Sequence, residues 1–284
     1  MNTINFCKFH GFGNDYIVME RESIDSEVSL PELGKSICHR HTGAGADGIA
    51  VLEKLDNDEA DYLCEIVNPD GSYAGFSGNG TRCAVSYLYY KNLWSAENLR
   101  LETRSGVKNY RLIERKGASE FWFEAEIGKP KFAGNEIPVA IDKHLDSVIN
   151  RQLTTDNRQL TFSAVNVGNP VACIFVDDFD FDWRTLGKTL ETHEMFPDRA
   201  NIVFVQIIDR ENINIRIWER AAGETAASGT CASGSAVLSA VMQKTARNVA
   251  VHSEGGTTNV LWRADDEIVI TGRADLAYCG VWPV

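Results

Sequence analysis

The sequence predicts an α+β fold of two similar domains, each a curved, mostly antiparallel sheet wrapped around one central apolar helix. Two observations carry this prediction. Short glycine-framed segments begin at Ser77 and at Ser228, and each opens an apolar run, at 84–90 and at 236–242, that is typical of a buried helix. Segments of alternating apolar and polar residues, such as 121–127, are typical of half-buried strands.

An internal repeat is the reason for expecting two similar domains. Residues 10–18 resemble residues 165–173, with Asn14 opposite Asn169, a spacing of 155 residues. The two glycine segments are 151 residues apart, which is nearly the same spacing. The predicted bounds are 1–128 for the first domain, 129–272 for the second, and 273–284 for a terminal strand that returns to the first domain.

The elements of each half follow one order. A Gly-Asn turn enters a strand, a polar helix follows, and two more strands lead to the glycine segment and its helix. Alternating runs near the end of each half add further strands. The predicted polar helices are 31–39 and 183–193, and the predicted strands include 49–53, 62–67, 202–208, 213–218, 259–264 and 267–271.

Composition excludes several classes of protein. The chain has 284 residues, 44% hydrophobic and 24% charged, which is enough for two cores of ordinary size. A formal net charge of −12 argues against nucleic acid as a partner. No apolar stretch reaches the ~20 residues of a membrane span, and the N-terminal residues lack the apolar core of a signal peptide. We therefore expect a cytoplasmic protein without membrane or nucleic-acid partners.

The cysteines favour reduced thiols. There are seven of them, an odd number, and no two form a C-x-x-C pair. This pattern fits free thiols better than a disulfide framework, and it contains no zinc signature. We therefore expect neither a disulfide nor a metal site.

One apparent nucleotide motif is rejected. Residues 43–48, Gly-Ala-Gly-Ala-Asp-Gly, fit the pattern G-x-G-x-x-G. A dinucleotide-binding loop follows a strand and opens a helix. Here a predicted helix precedes the motif and a predicted strand follows it, so the order is wrong for nucleotide binding.

Each glycine segment is expected to form a binding site for an anion. The N-terminus of a helix has N–H groups without an intrahelical partner and carries the positive end of the helix dipole. Such an end can hold a carboxylate. Two of them in one chain suggest a single anion held between two halves.

Seven motifs together resemble the diaminopimelate epimerase family, over nearly the whole chain. Each motif is weak alone, but their shared order is specific, and it implies the fold of that family. In chain order they are Gly11-Phe-Gly-Asn-Asp-Tyr16, Arg40 through Asp47-Gly48, Asn68-Pro-Asp-Gly-Ser72, Gly78-Asn-Gly-Thr-Arg-Cys83, Gly168-Asn-Pro170, His193-Glu-Met-Phe-Pro-Asp-Arg-Ala-Asn201 and Glu219-Arg-Ala-Ala-Gly-Glu-Thr225.

The resemblance implies an epimerase that works without a cofactor. Two facing bases invert the α-carbon of an amino acid, one removing its proton and the other delivering one to the opposite face. The substrate of the family is LL- or meso-diaminopimelate, on the route to lysine. Members of the family are often dimers, so a homodimer is a further expectation.

The resemblance also implies roles for particular residues. Ser77 and Ser228 occupy the two catalytic positions. Glu219 pairs with the distal ammonium of the substrate and Arg220 with its distal carboxylate. The remaining substrate-binding residues implied are Asn14, Asn68, Asn169 and Asn201 for hydrogen bonds, and Gly78, Asn79, Gly229 and Thr230 for the reacting carboxylate.

The chain departs from the family at both catalytic positions. The family has cysteine where this chain has Ser77 and Ser228. A thiol has a pKa near ~8.5, whereas a hydroxyl is closer to water at ~15.7. The difference of roughly 7 units corresponds to about 10 kcal/mol, so serine needs an additional base. The family also has histidine where this chain has Val171, and often glutamine at Gly48.

Three other residues are candidates for the base. Cys231 lies three positions after Ser228, although a small buried cysteine is the more common role there. Asp70 and Glu224 flank the glycine segments, and a branch of the fold that resembles the phenazine-pathway isomerase uses a carboxylate; for Glu224 a place at a helix start is favoured. Three functions therefore stay open: an epimerase, a relative that binds ligand without proton transfer, and a lyase or double-bond isomerase.

Overall fold

The computed structural model describes residues 3–140, 145–155, 158–220 and 222–284. The chain forms two compact units. Unit 1 consists of residues 1–126 and 271–284, and unit 2 of residues 127–270. These divisions lie two residues from the bounds expected from the sequence.

Among its described residues, unit 1 is built from eight strands, two α-helices and one short 3-10 helix (Arg21–Ser23), and it also takes in most of the last strand of the chain. Its helices are α1 (Leu30–Ile37) and α2 (Gly78–Tyr90). The order of elements is the one expected from the sequence. Its strands are β1 (Thr3–Gly11), β2 (Asn14–Glu20), β3 (Gly48–Lys54), β4 (Tyr62–Val67), β5 (Tyr73–Ala74), β6 (Asn98–Thr103), β7 (Gly106–Lys116) and β8 (Glu120–Gly128), the last ending just past the boundary.

Unit 2 repeats this series. Its helices are α3 (Trp183–Glu191) and α4 (Gly229–Val241). Its final strand, β17, crosses back into unit 1, where it pairs antiparallel with β1. The strands are β9 (Val148–Thr155), β10 (Arg158–Asn166), β11 (Pro170–Phe175), β12 (Asn201–Ile207), β13 (Asn212–Glu219), β14 (Gly223–Glu224), β15 (Asn248–Ser253), β16 (Gly256–Trp262) and β17 (Ile268–Pro283).

Strand pairing is the same in both units. In unit 1, β2 pairs antiparallel with β1 and parallel with β3, and β4 pairs antiparallel with β3 and parallel with β6. In unit 2, β11 pairs antiparallel with β10 and parallel with β12, and β13 pairs antiparallel with β12 and parallel with β15. Antiparallel pairs predominate, so the predicted α+β fold of two pseudo-symmetric domains is confirmed.

The central helices α2 and α4 are buried almost completely. A helix in such a place cannot send its serine side chains to water, so they bond to the backbone one turn earlier. The hydroxyl of Ser86 donates to the carbonyl of Arg82, and that of Ser233 donates to the carbonyl of Gly229. Both helices begin directly after Ser77 and Ser228, so the glycine segments form their first turns rather than loops before them.

A disulfide corrects the expectation that every cysteine is reduced. Cys7 of β1 and Cys279 of β17 face each other in the antiparallel ladder and are bonded. The two residues are 272 positions apart in sequence, so no spacing rule indicates the pair; strand pairing brings them together. The other five cysteines are buried thiols.

No helix in the described part of the chain is long and apolar enough to cross a membrane.

Candidate functional site

The N-terminus of α2 in unit 1 is capped by Ser77. Its Oγ accepts a hydrogen bond from the backbone N–H of Gly80 at 3.1 Å. This is the usual bond of an N-cap serine, and it satisfies one of the free N–H groups at the start of the helix. The same Oγ lies 2.9 Å from the hydroxyl of Tyr16 on β2. Gly78 and Asn79 form the rest of this first turn, where the helix dipole favours a negative group.

Two predicted binding residues meet beside this helix end. The side-chain amide of Asn79 donates to Asn14 Oδ1 at 3.2 Å. The amide of Asn14 in turn donates to Asp47 Oδ2 at 2.8 Å. At the other end of this series of hydrogen bonds, Nη1 of the buried Arg82 donates to Asn79 Oδ1 at 3.0 Å. A guanidinium at one end and a carboxylate at the other therefore orient both amides.

Asp15 anchors the strand that carries Asn14 and Tyr16. Its carboxylate lies 2.7 Å from Lys8 Nζ and receives two hydrogen bonds from Arg40. Burial acts to raise the pKa of Asp15, but the hydrogen bonds and charges of Arg40 and Lys8 outweigh it and lower that pKa. The ionised carboxylate is therefore favoured in the folded protein.

Replacing the carboxylate of Asp15 should make the free energy of unfolding depend less on pH in the acidic range. Because the folded pKa of Asp15 is lowered, its contribution is complete above the unfolded pKa of ~3.9 and disappears as pH falls through the folded value. We expect Asp15→Asn to reduce the free energy of unfolding by about 2 kcal/mol at neutral pH, less than for a fully buried pair because Arg40 is half exposed. Urea denaturation at pH 7 and pH 3 measures this difference.

The control for that prediction is Asp56→Asn, which removes an exposed carboxylate from the same unit. It should leave the stability within about 0.5 kcal/mol of the parent. A loss for Asp15→Asn that is equal at the two pH values would contradict the prediction.

Asn68 and Asp70 lie in a turn after β4. The amide of Asn68 donates to Ser72 Oγ at 2.9 Å. Asp70 accepts from the hydroxyl and the backbone N–H of Ser72, and these bonds lower its pKa. Asp70 is exposed and held as a carboxylate, which makes it a weak candidate for a base.

The N-terminus of α4 in unit 2 has the same construction. Ser228 is the N-cap, and its Oγ accepts from the backbone N–H of Cys231 at 3.4 Å. Gly229 and Thr230 follow in the first turn, and Thr230 Oγ1 lies 3.4 Å from Ser228 Oγ. The Cys231 thiol donates to Glu219 Oε1 at 3.8 Å, which connects the end of β13 to the helix.

Cys231 is poorly suited to act as a base. Its thiol is buried, and burial together with the neighbouring charge of Glu219 raises its pKa well above the ordinary value. A neutral thiol in the helix interior fits the structural role that the sequence favoured.

Asn201 bonds to one other predicted residue of unit 2, Arg220, and to the neighbour of another, Pro170. Its amide donates to the carbonyl of Pro170, and its Oδ1 accepts from the backbone N–H of Arg220 at 2.9 Å. The Arg220 side chain is more exposed and donates to the carbonyl of Asp198 at 3.3 Å. Asn169 lies in the turn just before β11, and its carbonyl accepts from the backbone N–H of Val167.

Glu224 lies on β14, and the expectation that it begins a helix is wrong. Helix α4 begins later, after Ser228. Glu224 instead makes a paired ion contact with Arg184 on α3, at 2.7 and 2.6 Å. This contact lowers the pKa of Glu224, so proton abstraction by it is disfavoured. Of the neighbouring motif 219–225, Ala221 lies outside the described residues.

Tyr16 and Arg82 had no predicted role, and the structure places them against Ser77 and Asn79 respectively. For Tyr16 a signal existed, because the internal repeat aligns it with Val171, where the resemblance leads us to expect histidine. For Arg82 the signal was weaker: a charged residue that directly precedes Cys83 and the apolar run 84–90. Within the described residues, no group of three or more His, Cys, Asp or Glu is arranged to hold a metal ion.

Comparison with protein families gives one match. Residues 6–132 and 163–277 fit the family described as diaminopimelate epimerase. A protein named diaminopimelate epimerase from Pelotomaculum thermopropionicum is 36% identical over 283 residues, covering 99% of each chain. Another of that name, from Caldanaerobacter subterraneus subsp. tengcongensis, is 37% identical over 279 residues and covers 98% of each.

Solved structures with the same fold are more distant in sequence. A hydroxyproline epimerase from Agrobacterium vitis aligns with a TM-score of 0.74 at 15% identity, over 99% of this chain and 92% of that one. A PhzF-family phenazine biosynthesis protein from Bacillus anthracis aligns with a TM-score of 0.70 at 14% identity, over the full length of both. At these identities the likeness concerns the fold.

Proposed function

Because the chain belongs to the diaminopimelate epimerase family, we propose that it is a cofactor-independent amino-acid epimerase. Its proposed substrate is LL- or meso-diaminopimelate, the compound for which its relatives are named. The proposed reaction is the transfer of a proton to and from the α-carbon by two groups. Ser77 and Ser228 are proposed to occupy the two acid/base positions.

One observation carries this proposal: each unit has a buried helix that begins at a serine N-cap inside a glycine-rich turn. In each case the hydroxyl lies at the edge of a turn whose dipole attracts a carboxylate. A carboxylate held there becomes more negative as the α-proton leaves, and fixed N–H donors stabilise that charge. The reaction therefore has its electrostatic support beside both candidate acid/base groups.

The other residues are proposed to bind the substrate. Gly78, Asn79, Gly229 and Thr230 would supply donors to the reacting carboxylate. Asn14, Asn68, Asn169 and Asn201 would provide side-chain hydrogen bonds. Glu219 is proposed to pair with the distal ammonium group and Arg220 with the distal carboxylate, in the two-pronged geometry that a guanidinium favours.

A carboxylate base in place of the serines is less well supported. Asp70 and Glu224 both have lowered pKa values, from the hydrogen bonds of Ser72 and of Arg184 respectively. A carboxylate stabilised in its ionised form is a weaker proton acceptor. The hypotheses of a lyase and of a double-bond isomerase both need such a base, so the epimerase hypothesis is preferred.

Proton exchange in heavy water tests the function. The protein is incubated with LL-diaminopimelate in deuterated water, and incorporation of α-deuterium is followed by mass spectrometry. We expect slow but enzyme-dependent exchange, with the meso isomer appearing. Calorimetric binding of diaminopimelate without any exchange would instead support a relative that only binds its ligand, and it would overturn the proposal.

A further inference from the structure

Tyr16 is held in one position by its neighbours. It lies on β2 and is 6% exposed. A Cβ added at Gly48 would lie 2.7 Å from Tyr16 Cε1, and one at Gly80 would lie 2.8 Å from the same atom. These two glycines therefore leave the space that the tyrosine ring fills. The ring is packed against the first turn of α2, with its hydroxyl 2.9 Å from Ser77 Oγ.

Given the proposed epimerase function, we propose that Tyr16 is a proton-relay residue that makes Ser77 competent in acid/base catalysis. In one direction, Ser77 Oγ takes the α-proton as its own hydroxyl proton passes to the phenolate of Tyr16. The C–H bond breaks, its electron pair stays on the substrate carbon and carboxylate, and the phenol O–H bond forms. In the other direction the phenol returns its proton to Ser77 as Ser77 delivers one to carbon.

The relay reduces the energetic problem that serine creates. With Tyr16 as the final acceptor, the group that carries the negative charge is a phenol rather than an aliphatic hydroxyl, and a phenol is intrinsically the stronger acid. The phenolate would also lie beside the N-terminal turn of α2, where the helix dipole stabilises negative charge.

Unit 2 has an apolar residue at the corresponding place. The internal repeat aligns Tyr16 with Val171, and parallel pairing puts both at matching points, Tyr16 beside Gly48 and Val171 beside Asn201. Ser228 Oγ instead has the Thr230 hydroxyl 3.4 Å away, a group no more acidic than serine itself. Within the part of the chain that the structure describes, the two proposed acid/base positions are therefore unequal: Ser77 has the phenol of Tyr16 as its partner, and Ser228 has the hydroxyl of Thr230.

A cycle of variants in two backgrounds tests the relay. Tyr16→Phe keeps the ring and removes the hydroxyl, and we expect it to slow α-deuterium exchange about 100-fold in the parent protein, the size of a lost general-base contribution. In the Ser77→Cys background the thiol needs no relay, so the same change should cost less than about threefold. Calorimetric binding of diaminopimelate should be unchanged by Tyr16→Phe, which separates turnover from affinity.

The control is Tyr110→Phe. Tyr110 is also buried in unit 1, and its hydroxyl bonds to the α2 residue Thr81 at 2.5 Å rather than to Ser77. It should affect exchange equally in both backgrounds. Equal losses for Tyr16→Phe in the two backgrounds, or no loss in either, would show that Tyr16 has only a structural role and would overturn the relay.

The exchange rate of the parent protein distinguishes failure of the proposed function from failure of the relay alone. If the parent protein exchanges no α-proton from diaminopimelate, the proposed function fails, and the relay fails with it. If the parent exchanges protons and Tyr16→Phe exchanges them equally fast, only the relay fails.

Discussion

Replacing Ser77 and Ser228 together by cysteine is expected to raise the rate of α-proton exchange on the order of 1,000-fold. At position 228, where the neighbouring group is the Thr230 hydroxyl, the thiol is a stronger acid than the hydroxyl it replaces by roughly 7 pKa units, or about 10 kcal/mol. If about half of that difference is expressed in the barrier, the rate rises by three to four orders of magnitude. The measurement is the initial rate of α-deuterium incorporation from LL-diaminopimelate.

The double replacement has a matched control on the same helices. Ser86 and Ser233 are buried, and their hydroxyls donate to backbone carbonyls one turn earlier rather than capping the helix. Ser86→Cys/Ser233→Cys makes the same chemical change away from the helix ends, and it should not raise the rate. If the Ser77→Cys/Ser228→Cys protein folds, binds diaminopimelate and exchanges no faster than the parent, the assignment of these two positions is wrong.

Gly43→Ala is expected to produce the largest loss of stability among single substitutions at the glycines of the G-x-G-x-x-G segment. A Cβ at residue 43 would collide with the carbonyl oxygens of Ser36, Ile37 and His39, the second at 2.5 Å and the third at 2.9 Å. These are backbone atoms at the end of α1, which cannot rotate away. We expect a loss of about 3 kcal/mol, at the upper end of overpacking effects, measured as the free energy of unfolding in urea.

Gly75→Ala is the control for this prediction. A Cβ there would meet only Ser105 Oγ within 4 Å, at 2.9 Å, and a serine side chain can rotate. The loss should stay below about 1 kcal/mol. Equal stability losses at Gly43 and Gly75 would mean that the turn after α1 adjusts, contrary to the prediction. The close approach of Gly43 to α1 also gives this glycine a structural reason to be there without any nucleotide.

Much of the fold could be predicted because its signals are local. Alternation of apolar and polar residues indicated strands such as β8, and the apolar runs after Ser77 and Ser228 indicated the two central helices. The repeated order of elements indicated two similar units. The starts of the helices were placed too late because the glycines suggested loops, whereas a serine N-cap allowed the helix to begin at once.

Only part of the candidate site could be predicted from the sequence. Asn14 and Asn79 were chosen by resemblance, and the structure joins them by a hydrogen bond. The alternatives Glu224 and Cys231 could be weighed only once their surroundings were known. Arg184 holds Glu224 as an ion, whereas burial and a neighbouring carboxylate keep the Cys231 thiol protonated. The pKa of a side chain depends on its surroundings, which proximity in sequence does not reveal.

By itself the sequence determined the family and the class of fold, since these follow from motifs and local periodicity. Only the tertiary structure decided that Tyr16 meets Ser77 across 61 residues, and that Cys7 meets Cys279 across 272. Those contacts are set by strand register and by helix packing on the sheet. Register brings together residues that no local pattern relates, and a shift of one residue would turn either side chain to the opposite face.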